Sequence, residues 1–432
     1  MLLRSAALIV RHATPTLLHT TATKMSTTIP YTATVIGAGP AGLAVVAKLL
    51  DTAPSSGTPQ QQRIAWIDPS FGGGRLQAYP EVPSNTKVKL FIKFAEVSPS
   101  LAAAADKSGC LTALQACDPN KGCDLKLARD MTAGLGDALA EMHGASGRLT
   151  RVRGWVAGIE QQQATGGYAV RVDTGVVADP FTPGVPATSA PTDPMLVTDR
   201  VYLCTGSEPV PEPPAPAPHA AAPHPVTVVD LDTCLTPTKL AAVLRQNPAA
   251  KLLVVGASHS AVLCMMNAAA LGVPVLNLSR HALKYAEDMG DWILYDNTGL
   301  KGAAAAWARD VLENPDACAR AGITRFDVPT VKAEKGAYDA AWAAGATHIV
   351  YAIGYRTRPM PPISLLDSQA TAFSHDPATG ELTVKANGTT KVPGLYGYGI
   401  AFPERITDRQ GNVEWSVGMW KFMRYISEQV RA

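Results

Sequence analysis

The sequence is short of the residues that build disulfide scaffolds and metal centres. Seven cysteines among 432 residues are an odd number, and no two of them form a Cys-x-x-Cys motif. None has metal-ligand spacing with a histidine, and no histidine cluster or carboxylate pair marks a hydrolytic site. The cysteine usage therefore suits a reducing compartment rather than a disulfide framework, and we predict no bound metal.

Charge of one sign and uninterrupted apolar runs are also scarce. Thirty-eight Lys and Arg residues face 36 Asp and Glu residues, and the resulting net charge of +2 gives no reason to expect nucleic acid as a partner. The longest apolar stretch, residues 252–278, is interrupted by glycine, proline and polar side chains, so we predict a buried β-α-β unit and no transmembrane segment. The oligomeric state stays open, a homo-oligomer included.

Acidic residues are absent before Asp51. Arg4, Arg11 and Lys24 lie there among Ser, Thr, Leu and Ala, and Arg4 and Arg11 would share a helical face. This composition is typical of a mitochondrial transit peptide, so we treat residues 1–30 as an extension outside the fold. Translation from Met1 predicts a mitochondrial protein and a start at Met25 a cytoplasmic one, and both alternatives stay open.

What the sequence does contain is a pair of glycine-containing turns. Residues 35–42 read Val-Ile-Gly-Ala-Gly-Pro-Ala-Gly, and residues 254–261 read Val-Val-Gly-Ala-Ser-His-Ser-Ala. Each follows an apolar, β-branched run and opens an alanine- and leucine-rich stretch, which is the strand–turn–helix setting of dinucleotide binding. There the backbone approaches a pyrophosphate, and a helix N-terminus meets its charge. Two such turns indicate two dinucleotides held for electron transfer between them.

The first turn is complete, and an acid follows it. Its predicted cofactor-binding residues are Gly37, Gly39, Pro40, Ala41 and Gly42. Asp68 ends the next predicted strand, where a carboxylate would accept both ribose hydroxyls of an adenosine. The alternative for Asp68 is a solvated residue before Pro69.

The second turn differs from the first. Its predicted cofactor-binding residues are Gly256, Ser258, His259, Ser260 and Arg280. Ser258 replaces the middle glycine but supplies a hydroxyl for a phosphate, whereas His259 contacts the pyrophosphate or merely enters the helix. The following strand ends without an acid, and Arg280 suits a 2′-phosphate, so we predict NADPH here. Arg280 as a plain surface residue is the alternative.

The order of the elements predicts the architecture. A Pro- and Ala-rich linker at 209–225 separates the first unit from the second, and the residues after the second are too few for a domain of ordinary size. We therefore predict an α/β fold with two Rossmann-like dinucleotide-binding domains. The domain of residues 226–358 is inserted in a domain formed by residues 31–208 and 359–432.

Further motifs identify a resemblance. Cys204-Thr-Gly-Ser-Glu-Pro and Ala352-Ile-Gly-Tyr-Arg-Thr-Arg-Pro resemble the paired Ala-Thr-Gly turns of flavoprotein pyridine-nucleotide oxidoreductases, and Val392-Pro-Gly-Leu-Tyr-Gly-Tyr-Gly is similar to that family's closing strand. The resemblance implies FAD in the first domain and NADPH in the second. It implies further cofactor-binding residues at Val156, Thr205, Gly206, Gly354 and Gly399. Ile400 stands where the family usually has an acid.

Two subclasses of that family compete. Disulfide reductases usually have a Cys-x-x-Cys or Cys-x4-Cys pair beside the flavin. Cys117 and Cys123 have neither spacing, which disfavours a disulfide reductase. The stretch from Tyr79 to Phe94 is similar to flavin-containing monooxygenases, in which an asparagine faces the isoalloxazine ring, and Asn85 is the matching position. An amide there would bond a nicotinamide or a flavin oxygen adduct without supplying a proton readily. The alternative is that residues 84–86 cap a helix beginning near Lys87. The signature Phe-x-Gly-x-x-x-His is missing.

Three more segments enter the predicted site. Gly74 and Arg75 close a glycine run that would wrap the flavin phosphates, with Arg75 as counter-charge. Residues 288–302 form either a lid over the nicotinamide or a cap on its domain. A helix is predicted from Glu414, whose first residues, Trp415 and Ser416 among them, would face the flavin.

These observations predict an FAD-dependent oxidoreductase that uses NADPH. A monooxygenase acting with molecular oxygen on a nitrogen, sulfur or carbonyl group of a small molecule is the favoured function. One alternative is a reductase that passes electrons to a quinone or a protein, and the other is a flavin-binding protein without turnover.

Overall fold

The computed structural model describes most of the chain after the predicted extension: residues 31–52, 62–163, 165–175, 194–213, 217–328, 330–366, 372–384 and 390–431. The predicted transit peptide at 1–30 lies outside the described residues. Part of the predicted linker, residues 214–216, lies outside them as well.

The described strands and helices alternate along the chain. The strands are β1 Ala33–Ile36, β2 Ile64–Asp68, β3 Leu149–Arg153, β4 Trp155–Gln161, β5 Tyr168–Asp173, β6 Met195–Thr198, β7 Val201–Leu203, β8 Ser207–Pro209, β9 Thr227–Val228, β10 Leu252–Val255, β11 Val275–Ser279, β12 Glu287–Asp288, β13 Ile293–Leu294, β14 Ile323–Asp327, β15 His348–Tyr351, β16 Tyr355–Thr357, β17 Ile363–Ser364, β18 Phe373–His375, β19 Glu381–Val384, β20 Thr390–Gly397, β21 Glu404–Thr407 and β22 Val413–Ser416. The α-helices are α1 Pro40–Asp51, α2 Val88–Glu96, α3 Pro99–Ser108, α4 Thr112–Gln115, α5 Leu125–Gly144, α6 Leu231–Leu235, α7 Pro237–Leu244, α8 His259–Ala270, α9 Gly302–Trp307, α10 Pro315–Arg320, α11 Val331–Ala343 and α12 Met419–Gln429. Short 3₁₀ turns cover Gly74–Ala78 and Pro218–Ala221, and a π turn covers Ala308–Leu312.

The first domain is built on a seven-stranded sheet in the order β18-β19-β20-β7-β1-β2-β3. Its five strands from β20 to β3 are parallel. Because β20 lies beside β7, the end of the chain returns to complete this sheet. Helix α1 is buried along nearly its whole length and packs against α12, so apolar residues surround it on all sides.

The inserted domain has a parallel sheet of its own, in the order β14-β11-β10-β15-β9. All its strands come from residues between β8 and β16. Strands β8 and β16 pair with each other in antiparallel fashion at the point where the chain leaves and re-enters the first domain. A second sheet of the first domain has the order β17-β4-β5-β6. The predicted fold class, two Rossmann-like domains with one inserted in the other, is confirmed.

One predicted element is wrong. Residues 413–416 form strand β22, which pairs with β21, and the last helix begins at Met419 rather than Glu414. The physical reason is that exposed and buried side chains alternate along these residues with the period of two that a strand has. Trp415 is 48% exposed, whereas Ser416 on the opposite face is 2% exposed. Trp415 and Ser416 therefore do not form the first turn of a helix.

The third glycine of the first turn provides a test of the packing. A β-carbon on Gly42 would lie 1.9 Å from the carbonyl oxygen of Gly37, so Gly42→Ala must move backbone. We expect this substitution to lower the free energy of unfolding by more than about 1 kcal/mol, measured by urea titration. Gly336→Ala on α11 is the control, because a β-carbon there meets nothing within 4 Å. It should raise stability by about 0.5–1 kcal/mol. Equal effects at the two positions would contradict the proposed tight packing.

Candidate active site

The first glycine turn joins β1 to the N-terminus of α1. Gly37 has φ 107°, and a β-carbon on it would lie 2.3 Å from the carbonyl oxygen of Cys204. Only glycine fits this conformation and this close approach. No side chain caps α1 at Gly39, and Pro40 occupies its first turn. The N-terminal end of the helix is therefore suited to a phosphate group.

Asp68 holds this turn from the end of β2. It is 8% exposed, and its Oδ2 accepts the backbone N–H of Ala38 at 2.8 Å. Its Oδ1 accepts the backbone N–H groups of Ser70 and Phe71 at 2.8 and 2.7 Å. The alternative of a solvated residue is therefore wrong. The carboxylate orders the backbone around the predicted ribose site, and its contact with a ribose stays a prediction.

The second turn repeats this geometry in the inserted domain. Gly256 has φ 128°, and a β-carbon on it would lie 2.4 Å from the carbonyl oxygen of Ala352. Ser258 precedes α8 in an extended conformation without a side-chain cap. The two turns thus share one construction, although Ser258 replaces a glycine.

Two side chains that support the turns were missed in the sequence. Trp66 Nε1 donates to the carbonyl of Gly37 at 3.0 Å, and Asn277 Nδ2 donates to that of Gly256 at 2.8 Å. Both stand at the same register, opposite the penultimate residue of the preceding strand. The signal available in the sequence was a hydrogen-bond-donating side chain two residues before the end of each of the apolar strands β2 and β11.

His259 begins α8 beside the second turn. Its Nδ1 is buried without a hydrogen-bond partner among the described residues. Burial, and then the charge of Lys301, lowers the pKa of His259 to about 4. The imidazole is therefore neutral at physiological pH, and it contributes a polar edge rather than a charge to a bound pyrophosphate.

Arg280 lies on the surface after β11. Its side chain is 65% exposed, and its Nη2 donates to both carboxylate oxygens of Glu334 on α11 at 2.9 Å. Ser279, at the position that Asp68 has in the first domain, bonds to Asp327 instead. Glu334 thus orients the guanidinium beside the predicted adenosine site, and recognition of a 2′-phosphate stays a prediction.

The two connecting turns lie side by side. Arg358 N donates to the carbonyl of Gly206 at 3.2 Å, and Val210 N donates to that of Gly354 at 3.0 Å. The hydroxyl of Thr205 is buried without a partner in the described part of the chain. Val156 lies on β4, farther from these turns in sequence and paired with β5.

The closing strand also reaches the first turn. A β-carbon on Gly399 would lie 2.6 Å from that of Ala41, so residues 399 and 400 lie against the start of α1. Ile400 is partly exposed there. An apolar side chain thus follows Gly399 at the position where the resemblance implies an acid.

Arg75 contacts the inserted domain. It forms an ion pair with Asp232 on α6, and its Nε donates to the hydroxyl of Tyr79 at 2.9 Å. Tyr79 also donates to Asp232 at 2.9 Å, and its hydroxyl lies 3.3 Å from that of Tyr355. This network links the glycine run ending at residue 75 to α6 and β16 of the inserted domain. The role of Arg75 as counter-charge to a flavin phosphate stays a prediction.

Arg358 is a further residue that the sequence analysis missed. Burial, and then the neighbouring Arg75 guanidinium, lowers the pKa of Arg358, whereas Glu208 and Asp68 raise it. The guanidinium therefore lies within electrostatic reach of both Arg75 and Asp68. Its place in the quoted motif around Gly354 was the available signal.

Asn85 is exposed and precedes α2. The helix has its N-cap at Lys87 without a side-chain hydrogen bond, and Ser84 Oγ donates to the carbonyl of Thr86 at 2.7 Å. The alternative that residues 84–86 cap this helix with a side chain is therefore wrong. Within the described part of the chain, the Asn85 side chain accepts only a long hydrogen bond, from the hydroxyl of Thr86 at 3.3 Å, which suits a residue that meets a ligand.

Other classes of site find little support in the described residues. No three His, Cys, Asp or Glu side chains gather there as they would around a metal ion. Burial, and then the neighbouring Cys117, raises the pKa of Cys123 to about 11, so this thiol is protonated at neutral pH and poorly nucleophilic. Among the same residues, no helix is long and apolar enough to cross a bilayer.

Comparison with known proteins assigns the family. No protein-family model matches the chain. Monooxygenase AgnR1 of Paecilomyces divaricatus is 35% identical over 411 residues, which cover 91% of this chain and 95% of that protein. The chain belongs to the same family. It is an FAD-dependent oxidoreductase of the FAD/NAD(P) superfamily, as the paired turns and connecting motifs predict.

Solved structures overlap this oxidoreductase only loosely. The flavoprotein disulfide reductase RclA of Escherichia coli has a TM-score of 0.41 at 14% identity, over 92% of this chain and 69% of that one. The NAD-dependent persulfide reductase of A. fulgidus has a TM-score of 0.43 at 12% identity, over 92% of this chain and 58% of that one. The assignment therefore rests on the sequence relative.

The lowered pKa of His259 predicts a pH dependence of this oxidoreductase's stability. An unfolded histidine titrates near about 6.5, so between about pH 6.5 and 4 the unfolded state binds more protons and stability falls as the pH falls. We expect urea titrations to show a smaller loss of stability between about pH 7 and 4.5 in His259→Gln than in the wild type. His281→Gln, at an exposed position, should behave as the wild type does. The prediction would be contradicted if His259→Gln lost as much stability as the wild type over this pH range.

Proposed function

We propose that this oxidoreductase is an NADPH-dependent monooxygenase that oxygenates a nitrogen, sulfur or carbonyl group of a small molecule. The observation that carries the proposal is the exposed amide of Asn85 beside the inserted domain. A β-carbon on Gly302 would lie 3.3 Å from the carbonyl oxygen of Ser84 and 3.8 Å from the Cα of Asn85. A side chain that meets both cofactors would stand at such a junction.

The residues present fit two dinucleotides. The uncapped start of α1, with Gly37 and Gly39, would hold the FAD pyrophosphate, and Arg358 would add positive charge. The start of α8, with Ser258 and Ser260, would hold the second pyrophosphate. Bound FAD would supply two-electron transfer from NADPH to oxygen, so that NADPH, a proton, O₂ and substrate give NADP⁺, water and oxygenated substrate.

The protein's own part is to orient and to exclude water. The amide of Asn85 donates and accepts hydrogen bonds but carries no acidic proton, so it would hold a reacting oxygen without protonating it early. Early protonation would release hydrogen peroxide. The neutral His259 and the hydroxyl of Tyr355, whose pKa burial raises, likewise offer no ready proton at neutral pH.

The preference for NADPH is proposed from Arg280. Glu334 holds the guanidinium on the surface after β11, where it retains donors for a 2′-phosphate. Charge-assisted hydrogen bonds of this kind contribute about 1.5–3 kcal/mol.

Arg280→Ala tests this preference. We expect the ratio of kcat/KM for NADPH over NADH to fall on the order of tenfold or more, because the 2′-phosphate loses its cation. Steady-state oxidation of each nucleotide measures the ratio. Lys335→Ala is the control, since Lys335 is an exposed cation of α11 that pairs with Asp339. An unchanged ratio in Arg280→Ala would exclude this residue as the determinant.

Labelled oxygen tests the monooxygenase itself. The FAD-loaded protein would be given NADPH, ¹⁸O₂ and a panel of amines, thioethers and ketones, with products read by mass spectrometry. We expect one ¹⁸O atom in the oxygenated product of at least one of these compounds. Asn85→Ala should release several times more hydrogen peroxide per NADPH, because the reacting oxygen loses its hydrogen-bond partner.

Two outcomes would contradict the proposal. Reduction of quinones without label in any product would favour the reductase, which the missing Phe-x-Gly-x-x-x-His signature leaves as the second candidate. Unchanged peroxide release in Asn85→Ala would exclude the role given to Asn85. Asn120→Ala is its control, because Asn120 is an exposed asparagine bonded to Lys89.

A further inference from the structure

One segment of the inserted domain reaches across to the first domain. Residues 285–301, here called the clasp, form a loop whose ends meet. Ala286 N donates to the carbonyl of Leu300 at 3.0 Å, and Leu300 N donates to that of Lys284 at 2.7 Å. Strands β12 and β13 pair within it. Surface loops whose ends lie close together are compact and frequently functional.

The clasp docks on strand β22 through a buried carboxylate. Glu414 is 4% exposed, and it accepts the backbone N–H of Asn297 at 3.0 Å, the Nδ2 of Asn297 at 3.2 Å and the hydroxyl of Thr298 at 2.5 Å. Glu414 belongs to the first domain and all three donors to the inserted one. Withdrawal of the clasp would leave a buried charge without these donors, which costs more than the loss of an exposed bond.

A second contact lies at the start of α12. The side-chain oxygen of Asn297 accepts the backbone N–H of Val417 at 3.1 Å and the ammonium of Lys421 at 2.6 Å. Asp296 lies 2.6 Å from the same ammonium and pairs also with Lys301. A third contact is the exposed ion pair of Asp291 in the clasp with Arg409 of the first domain. The clasp is therefore held on the first domain at several points, of which the one at Glu414 is buried.

The end of the clasp lies near both halves of the candidate active site. Gly302, directly after it, lies against Ser84 and Asn85. Lys301 lies near enough to His259 for its charge to act on the imidazole. Residues 285–302 thus lie against the Asn85 stretch and the C-terminal hairpin of the first domain, and Lys301 lies within electrostatic reach of the second glycine turn.

We propose that Glu414 is a positioning residue, which sets the approach of the second glycine turn to Asn85 by holding the clasp. The inference rests on the proposed function and adds a residue that contacts neither dinucleotide in it. Hydride transfer depends steeply on the separation of donor and acceptor, so a clasp that is not docked slows transfer without weakening the binding of FAD.

The test compares both sides of the contact. Glu414→Ala removes the carboxylate, and Thr298→Val removes one of its donors. Glu404→Gln is the matched control, because Glu404 lies in the same hairpin but pairs with Arg424 inside the first domain. In anaerobic rapid mixing of FAD-loaded protein with saturating NADPH, we expect flavin reduction at least about tenfold slower in Glu414→Ala. Thr298→Val should show a smaller loss and Glu404→Gln none.

Two further readouts separate positioning from general damage. FAD content and the oxidation of dithionite-reduced flavin by oxygen should stay within about twofold of the wild type in all variants. Hydrogen exchange of the chain without either nucleotide should be faster over residues 285–302 in Glu414→Ala and Thr298→Val, and unchanged in Glu404→Gln.

The outcomes are distinguishable. Wild-type flavin reduction in both clasp variants, or unchanged exchange of the clasp, overturns the inference. If Glu414→Ala does not fold, Thr298→Val decides alone. A wild-type protein that NADPH does not bleach overturns the proposed function together with the inference, whereas a bleached wild type with unaffected variants overturns the inference alone.

Discussion

The architecture depends on one close backbone approach, made twice. The first glycine of each turn lies very near the carbonyl of the residue that directly follows a neighbouring strand, so that no side chain fits. That residue is Cys204 for Gly37 and Ala352 for Gly256. The chain therefore leaves each sheet directly beside its glycine turn. Because both exits lie there, the two connections run side by side as β8 and β16, and the two turns belong to one junction.

Polar contacts hold this junction together. The pair of Arg75 with Asp232, the hydroxyls of Tyr79 and Tyr355, and the clasp on Glu414 all join the two domains. Polar interfaces are typical of domains that move relative to each other. Such a junction would suit the proposed electron transfer, in which one nucleotide must be admitted, aligned with another and released.

Local sequence patterns could be predicted from the sequence much better than long-range contacts. The strand before Asp68 and the helix after Gly39 follow from β-branched runs and from glycine at a fixed spacing, and the structure has both. The strand at 413–416 was misread as helix, because four residues of alternation are a weak signal beside the helix that follows. The partner of Arg280 could not be predicted from the sequence either, because Glu334 lies 54 residues later in the chain.

The amino-acid sequence was sufficient to predict the two glycine turns, the order of the elements and the family, because each depends on residues that are neighbours along the chain. The folded structure was needed to show where the charged side chains act. Asp68 orders the first turn, Arg75 faces Asp232, and Glu414 receives the clasp. Such pairs form between segments far apart in sequence, where the packing of two domains, rather than local propensity, decides which groups meet.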